Sequence, residues 1–307
     1  VVNKPTLSLG LPNFGSTPLS ADGWRQLVDV ARAADTAGVD RVIVVDHVVM
    51  GPYTEAYSWG RFPTPPEAPW LEPLTVLTAI AAVTSRVRLG TGILIAPLRG
   101  ATLLAKTAAT LDVLSGGRLD LGVGTGWQKE EYDAAGLDFA RRGQLLSDTL
   151  AACRALWRDI PAAVDLPTVR FSETYCMPQP VQPGGVPLWV SGSLVPPVID
   201  RVVRWGDGWI PIMTADVDYL RKGAELFRAA FADAGRDPDS LQVRGALPLV
   251  RDADGTIDLS ASLREVPSLL EAGATDVSVQ FQAVCRDPAD AAAAFADLVG
   301  EFRAAIA

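Results

Sequence analysis

His47 is the only histidine in this 307-residue chain. It follows directly on an apolar run, RVIVV, and on Asp46. Imidazole changes charge near neutrality without help from its surroundings, which suits it to take or give a proton during a reaction. A histidine in such a place can also be structural. Its position at the end of a predicted strand, the adjacent carboxylate and the aromatic segment that follows favour a chemical role. Two more motifs stand at strand ends. Gly122-Val-Gly124-Thr-Gly126-Trp127 spaces its glycines closely enough for backbone N–H groups to approach a ligand such as a phosphate, or to make only a tight turn. It is not a dinucleotide fingerprint: the last glycine comes a residue early and the strand is not the first of the chain. Ser191-Gly192-Ser193 stands before a helix start at Pro196-Pro197, where hydroxyls and N–H groups form either an anion site or an ordinary N-cap. No nucleophile elbow, Walker loop or paired metal ligands occur, so no metal is expected.

The elements that position these residues follow from hydrophobic pattern. Apolar runs predict strands at Thr6–Leu11, Arg41–Val45, Val87–Ile95, Leu119–Val123, Pro187–Val190, Gly208–Ile212, Leu241–Val250 and Thr275–Phe281. Such near-continuous apolar runs are what strands buried on both faces require. Helical spacing falls between most of them. The first helix has Ser20 as N-cap, carries Trp24, Leu27, Val28, Ala31 and Ala34 on one face, and ends at Gly38. Further helices are expected near 71–84, 102–114, 141–158, 217–234, 260–272 and 288–305. This alternation predicts an α/β fold of the (β/α)8 TIM-barrel type, as one domain over 1–307, with ligands at the C-terminal ends of the strands. Insertions stand after strand 2, from Val48 to Pro69, and between strands 4 and 5, from Ile160 to Gly185. Long ordered loops on such a scaffold are usually functional. Tyr53, Tyr57, Trp59 and Phe62, with Trp70 beyond, make the first read as a lid.

Composition narrows the partners. A net charge of −9 argues against nucleic acid or an anionic membrane as the main partner. Cys153, Cys176 and Cys285 are far apart and lack metal spacing, so they read as reduced thiols. The N-terminus has no signal-peptide pattern, and no window is apolar enough to cross a bilayer. A cytoplasmic protein acting on a small-molecule substrate is expected.

Taken together, GLPNFG (Gly10 to Gly15), VVDH in strand 2, RVRLGTGILIAP, LLAKTAATLDVLSGGRLDLGVGTGW and PLWVSGS resemble the luciferase-like monooxygenase superfamily. They are most similar to its branch of oxidoreductases that use the deazaflavin coenzyme F420. The resemblance runs from about Leu9 to Phe302 and is most specific between Leu103 and Trp127. It implies a flavin or deazaflavin ring over the C-terminal mouth of the barrel. Its phosphate would lie by Gly124, Thr125 and Gly126 and by Ser191, Gly192 and Ser193. It implies His47 as the acid–base residue, with Asp46 as its neighbouring acid. Asn13, Gly92 and Ile93 would lie at the cofactor, with a non-prolyl cis peptide at Gly92-Ile93.

The chain departs from the family pattern at three places. No histidine stands in Pro97-Leu98-Arg99-Gly100-Ala101, Trp127 replaces a glutamate found in some relatives, and Ser147-Asp148-Thr149 replaces a usual acid. The implied activity is hydride transfer between F420 and a small organic substrate. The alternatives are an FMN-dependent monooxygenase using reduced flavin and O2, and a non-catalytic flavin-binding protein. Arg61, Arg99, Lys106 and Lys129 are candidates to face the oligoglutamate tail of F420, or are ordinary surface charges. A homodimer is expected from the family habit.

Overall fold

In the computed structural model, which describes residues 4–15, 23–212 and 216–307, the apolar runs close into a barrel. Its strands are β1 (Thr6–Gly10), β2 (Arg41–Val44), β3 (Arg88–Thr91), β4 (Leu119–Gly124), β5 (Leu188–Ser191), β6 (Gly208–Ile210), β7 (Gln242–Ala246) and β8 (Asp276–Gln280). Each pairs in parallel with the next, and β8 closes the ring on β1. Parallel neighbours need a crossover, and the helices supply it. The fold is a (β/α)8 barrel, as expected.

Several elements differ from expectation. The long third run is interrupted: the Gly92–Ile93 peptide is cis, and the chain resumes as a short strand, Leu94–Ile95, beside Val123 and Gly124. The seventh run stops at Ala246, ahead of Pro248, which has no N–H to continue a ladder. The helix expected over 260–272 is two short ones, Leu259–Leu263 and Val266–Glu271. The Ser20 cap lies outside the described residues. Segment 160–185 carries an antiparallel hairpin, Ala162–Asp165 with Arg170–Thr174. Its Gln182 donates to the Leu119 carbonyl at 2.7 Å and accepts from Arg88 Nη2 at 2.9 Å. Leu119 and Arg88 open β4 and β3, so this insertion lies at the N-terminal end of the barrel, opposite the mouth. The reason is topological: a helix-to-strand connection returns to the end where strands begin.

The strands turn an apolar face outward. Leu89, Leu119, Leu121, Val123, Val243 and Val277 are buried in the hydrophobic core. A side chain at Gly245, on that same outward face, would meet Leu220 and Leu269 of the surrounding helices. Inward stand Ser8, Arg41, Asp120, Trp189, Arg244 and Asp276, all buried. Barrel interiors are ordinarily packed with branched aliphatics. Here two glycines make room for longer groups. A Cβ on Gly90 would begin 2.9 Å from Arg41 Cδ, and one on Gly92 2.6 Å from Ile43 Cγ2.

Arg41 bridges Asp120 at 2.9 Å and Asp276 at 2.7 Å, and Arg244 Nε reaches Asp276 at 2.7 Å. Arg88 adds a pair to Asp120 at 2.6 Å. The Arg41 and Arg244 guanidinium groups lie over the Trp189 ring, 4.8 and 5.0 Å from its centre. Burial alone would raise the Asp276 pKa; Arg41, Arg244 and the Ser8 hydroxyl outweigh it and hold the carboxyl at about 2. Such an interior confers little net stability over an apolar one, but removing one partner from it is expensive.

Candidate active site at the barrel mouth

His47 emerges just beyond β2 and is buried. Its Nδ1 lies 3.0 Å from Glu131 Oε2, and the other carboxylate oxygen accepts from the Val48 N–H at 2.9 Å. Glu131 is itself buried. A carboxylate only accepts, so in the neutral imidazole the hydrogen sits on Nδ1 and the Nε2 lone pair faces away from Glu131. Nε2 has no hydrogen-bond partner among the described residues. The ring is walled by aromatic edges: Trp70 at 4.7 Å, Phe62 at 5.4 Å and Trp127 at 5.8 Å between centroids. Tyr57 packs on Phe62, Trp127 and Trp59, so the insertion after β2 folds its aromatics over the mouth beside the histidine.

Glu131 sits on a short helix, Lys129–Ala134, that the sequence reading missed. Gln128, just before it, accepts from the Gly51 N–H at 2.9 Å and donates to the Gly51 carbonyl at 3.3 Å. Tyr132 donates to the Thr125 carbonyl. Gln128, Glu131 and Tyr132 are spaced i, i+3, i+4, which is one face of a helix. That spacing was the available signal. The segment after β4 therefore clamps the segment after β2 and orients the imidazole.

Two residues expected beside the chemistry have other work. Asp46, expected as the neighbouring acid of His47, turns toward β3. Its carboxylate accepts from the Ile95 N–H at 2.8 Å and takes a two-pronged contact from Arg99 at 2.7 and 2.9 Å. The acid that touches His47 is Glu131 instead; consecutive residues in extended chain point to opposite sides, so Asp46 and His47 diverge. Asn13, expected at the cofactor, spends its amide on backbone: it donates to the Val45 and Leu71 carbonyls at 2.8 and 3.0 Å and accepts from Val45 N at 2.9 Å. It ties the loop after β1 to β2 and has no donor left.

The glycine loop has a packing reason of its own. A Cβ on Gly122 would lie 2.0 Å from the Thr91 carbonyl oxygen, and those on Gly124 and Gly126 would each lie 3.0 Å from the Ile93 or Ile95 side chain. The loop thus seats the Gly92–Ile95 bend of β3. The Thr125 and Gly126 N–H groups keep no partner among the described residues.

Around Ser191–Ser193 the amide supply is thin. The N–H groups of Gly192, Leu194, Val195 and Val198 are already bonded, and Pro196 and Pro197 have none. What remains open among the described residues is the Ser193 N–H with the Ser191 and Ser193 hydroxyls. Of the cations considered for an acidic tail, Arg99 is engaged with Asp46 and Glu72, Lys106 with the Met177 carbonyl and Lys129 with Asp133. Only Arg61 is exposed and without a partner among the described residues.

Residues 7–256 match the family described as luciferase-like monooxygenase. A Mycobacterium tuberculosis (H37Rv) protein, Rv0953c, is 38% identical over 167 residues, 54% of this chain and 58% of that protein. The match thus spans less than two thirds of that relative's length. Among solved structures, an F420-dependent secondary alcohol dehydrogenase in complex with an F420–acetone adduct superposes with a TM-score of 0.77, 18% identity and coverage of 98% and 99% of the two chains. The oxygenating constituent of 3,6-diketocamphane monooxygenase from Pseudomonas putida, in complex with FMN, superposes with a TM-score of 0.70, 16% identity and coverage of 100% and 98%. At those identities the likeness concerns the fold, and it reaches both F420-dependent and FMN-dependent enzymes. The chain belongs to the luciferase-like monooxygenase family.

Proposed function

We propose that this protein is an F420-dependent oxidoreductase that moves a hydride between the deazaflavin and a small organic substrate at the barrel mouth, with His47 as proton donor or acceptor. The observation that carries the reading is the His47–Glu131 pair: a buried carboxylate fixes Nδ1 and leaves Nε2 open among aromatic walls. F420, when bound, supplies a carbon that accepts or releases hydride and reacts poorly with oxygen. The residues of the mouth fit such a group. The Thr125 and Gly126 amides, the Ser193 amide and the two serine hydroxyls are open donors for a phosphate, and the Ile93 and Ile95 side chains lie under the Gly124–Gly126 turn. The aromatic walls would exclude water and orient a planar ring. Nε2 would exchange the proton that balances hydride movement, and Glu131 would stabilise the imidazolium that forms.

A homodimer belongs to the same proposal. Leu103 and Leu114 on helix Ala101–Ser115 and nearby Met177 and Val181 are exposed apolar side chains on which a second copy could pack.

The reading is tested by titrating the purified protein with F420 and with FMN. Tighter binding of F420 is expected. Tight FMN binding with no measurable F420 binding would replace the proposal with the reduced-flavin monooxygenase, whose family relatives include an FMN-bound enzyme.

A further inference from the structure

The floor of the mouth carries a cation that nothing above employs. Arg244 is 6% exposed and extends upward from the mid-barrel ion network. Its Nε is bound to Asp276, and its plane is held over Trp189. Its Nη1 lies 3.5 Å from the point where a Cβ on Gly92 would stand, so the guanidinium ends at the level of the β3 bend. Neither Nη1 nor Nη2 has a hydrogen-bond partner among the described residues. Nor are these nitrogens sealed in: the buried unpaired side-chain atoms among the described residues are Thr64 Oγ1, Trp70 Nε1 and Gln179 Nε2. Arg244 therefore presents unbonded donors beside the β3 bend at the mouth.

We propose that Arg244 receives an anionic oxygen of a planar ligand, a carboxylate or an enolate-type oxygen, at the bottom of the site. Charge supports this. The interior network sets Arg41, Arg88 and Arg244 against Asp120 and Asp276, which leaves one positive charge in excess. Arg88 is partly exposed at the N-terminal end and Arg41 contacts both aspartates, so of the three guanidinium groups only that of Arg244 keeps both terminal nitrogens unbonded among the described residues. A buried cation with unmet donors is costly, and a bound oxyanion relieves the cost. A guanidinium edge with two coplanar donors matches a two-oxygen acceptor in a way an ammonium does not. Gly92 borders that edge, since a Cβ there would stand in contact with Nη1 at 3.5 Å. The inference deepens the oxidoreductase reading and rests on it only for the origin of the oxygen, which belongs either to the reduced ring of the coenzyme or to the substrate.

The site is tested without coenzyme, using benzoate and its neutral analogue benzamide as probes. Binding to the whole protein is followed by calorimetry and by quenching of tryptophan fluorescence. Wild type is expected to bind benzoate at least tenfold more tightly than benzamide, and R244Q to lose that preference. Equal affinity for the two probes in wild type overturns the proposal. So does an undiminished preference in folded R244Q, its fold checked by circular dichroism. Should R244Q fail to fold, R244K decides: loss of the planar fork lowers benzoate affinity at least threefold, and unchanged affinity overturns the proposal. Repeating the wild-type titration with F420 or FMN bound sorts the source. Benzoate still bound assigns the oxygen to the substrate, and benzoate excluded assigns it to the ring. Benzoate binding in a protein that takes neither coenzyme would support the oxyanion site and remove the coenzyme reading.

Discussion

Replacing Glu131 by glutamine isolates what the buried carboxylate does for His47. Glutamine has nearly the same shape and keeps one oxygen, so the contact with the Val48 N–H at 2.9 Å can survive. What changes is the group facing Nδ1 across 3.0 Å. An amide N–H there would require Nδ1 to accept, which moves the ring hydrogen to Nε2 and removes the lone pair from the mouth. The fold should lose only about 1–3 kcal/mol, the usual effect of weakening a hydrogen bond to a charged group. Catalysis should lose far more. A positioned general acid or base contributes about 10²–10⁴ in rate, and a ring held in the wrong tautomer forfeits that contribution. Because His47 is the only histidine, ¹⁵N spectra of histidine-labelled protein report its tautomer without overlap. The expected result is hydrogen on Nδ1 in wild type and on Nε2 in E131Q, with single-turnover hydride transfer slowed by the stated factor and coenzyme affinity within about threefold of wild type. Identical tautomers in both proteins, or an unchanged rate with a shifted tautomer, would refute the reasoning.

Three further outcomes follow from the packing. Asp276→Asn removes the shared partner of Arg41 and Arg244 and should destabilise the barrel by about 3–5 kcal/mol in urea unfolding. Asp276 also sets an acid limit. Its carboxyl is held at about 2, against an ordinary value of 3.8, so the unfolded chain binds the proton first. The stability it contributes is therefore present above about pH 5 and is lost as pH falls through 4 toward 2, a slope that D276N should lack. The glycine loop separates two substitutions. Gly122→Ala places a Cβ 2.0 Å from backbone oxygen and should abolish soluble folded protein, whereas Gly124→Ala meets only the end of the Ile93 side chain and should fold.

The barrel was legible because residues such as Leu89 in β3, Leu119 and Leu121 in β4 and Val243 in β7 mark an outward apolar face, and because helical spacing recurs between strands. The inward face was not legible. Arg88, Gly90 and Gly92, like Asp120, Gly122 and Gly124, alternate with those apolar residues at the two-residue period of a strand, yet adjacent glycines read more readily as a ligand loop. Only the closed ring shows that Gly90 and Gly92 yield space to Arg41 and Ile43. The position of His47 at the mouth followed from its place after an apolar run, but the identity of its acid did not. Asp46 is adjacent in sequence and diverges in space; Glu131 is remote in sequence and arrives through a short helix of a kind that periodicity detects poorly. The insertion at 160–185 was visible as a long connection, while its end of the barrel depended on counting which side of a strand it enters.

The proposed function is tested most directly by locating bound F420. Crystals of the protein soaked with F420 should show the deazaflavin ring in the mouth against Ile93, with His47 Nε2 facing the reacting edge and the phosphate by Thr125–Gly126 and Ser191–Ser193. F420 density anywhere else on the molecule, or a ring in the mouth turned so that His47 cannot reach its reacting carbon or a substrate held against it, would contradict the account.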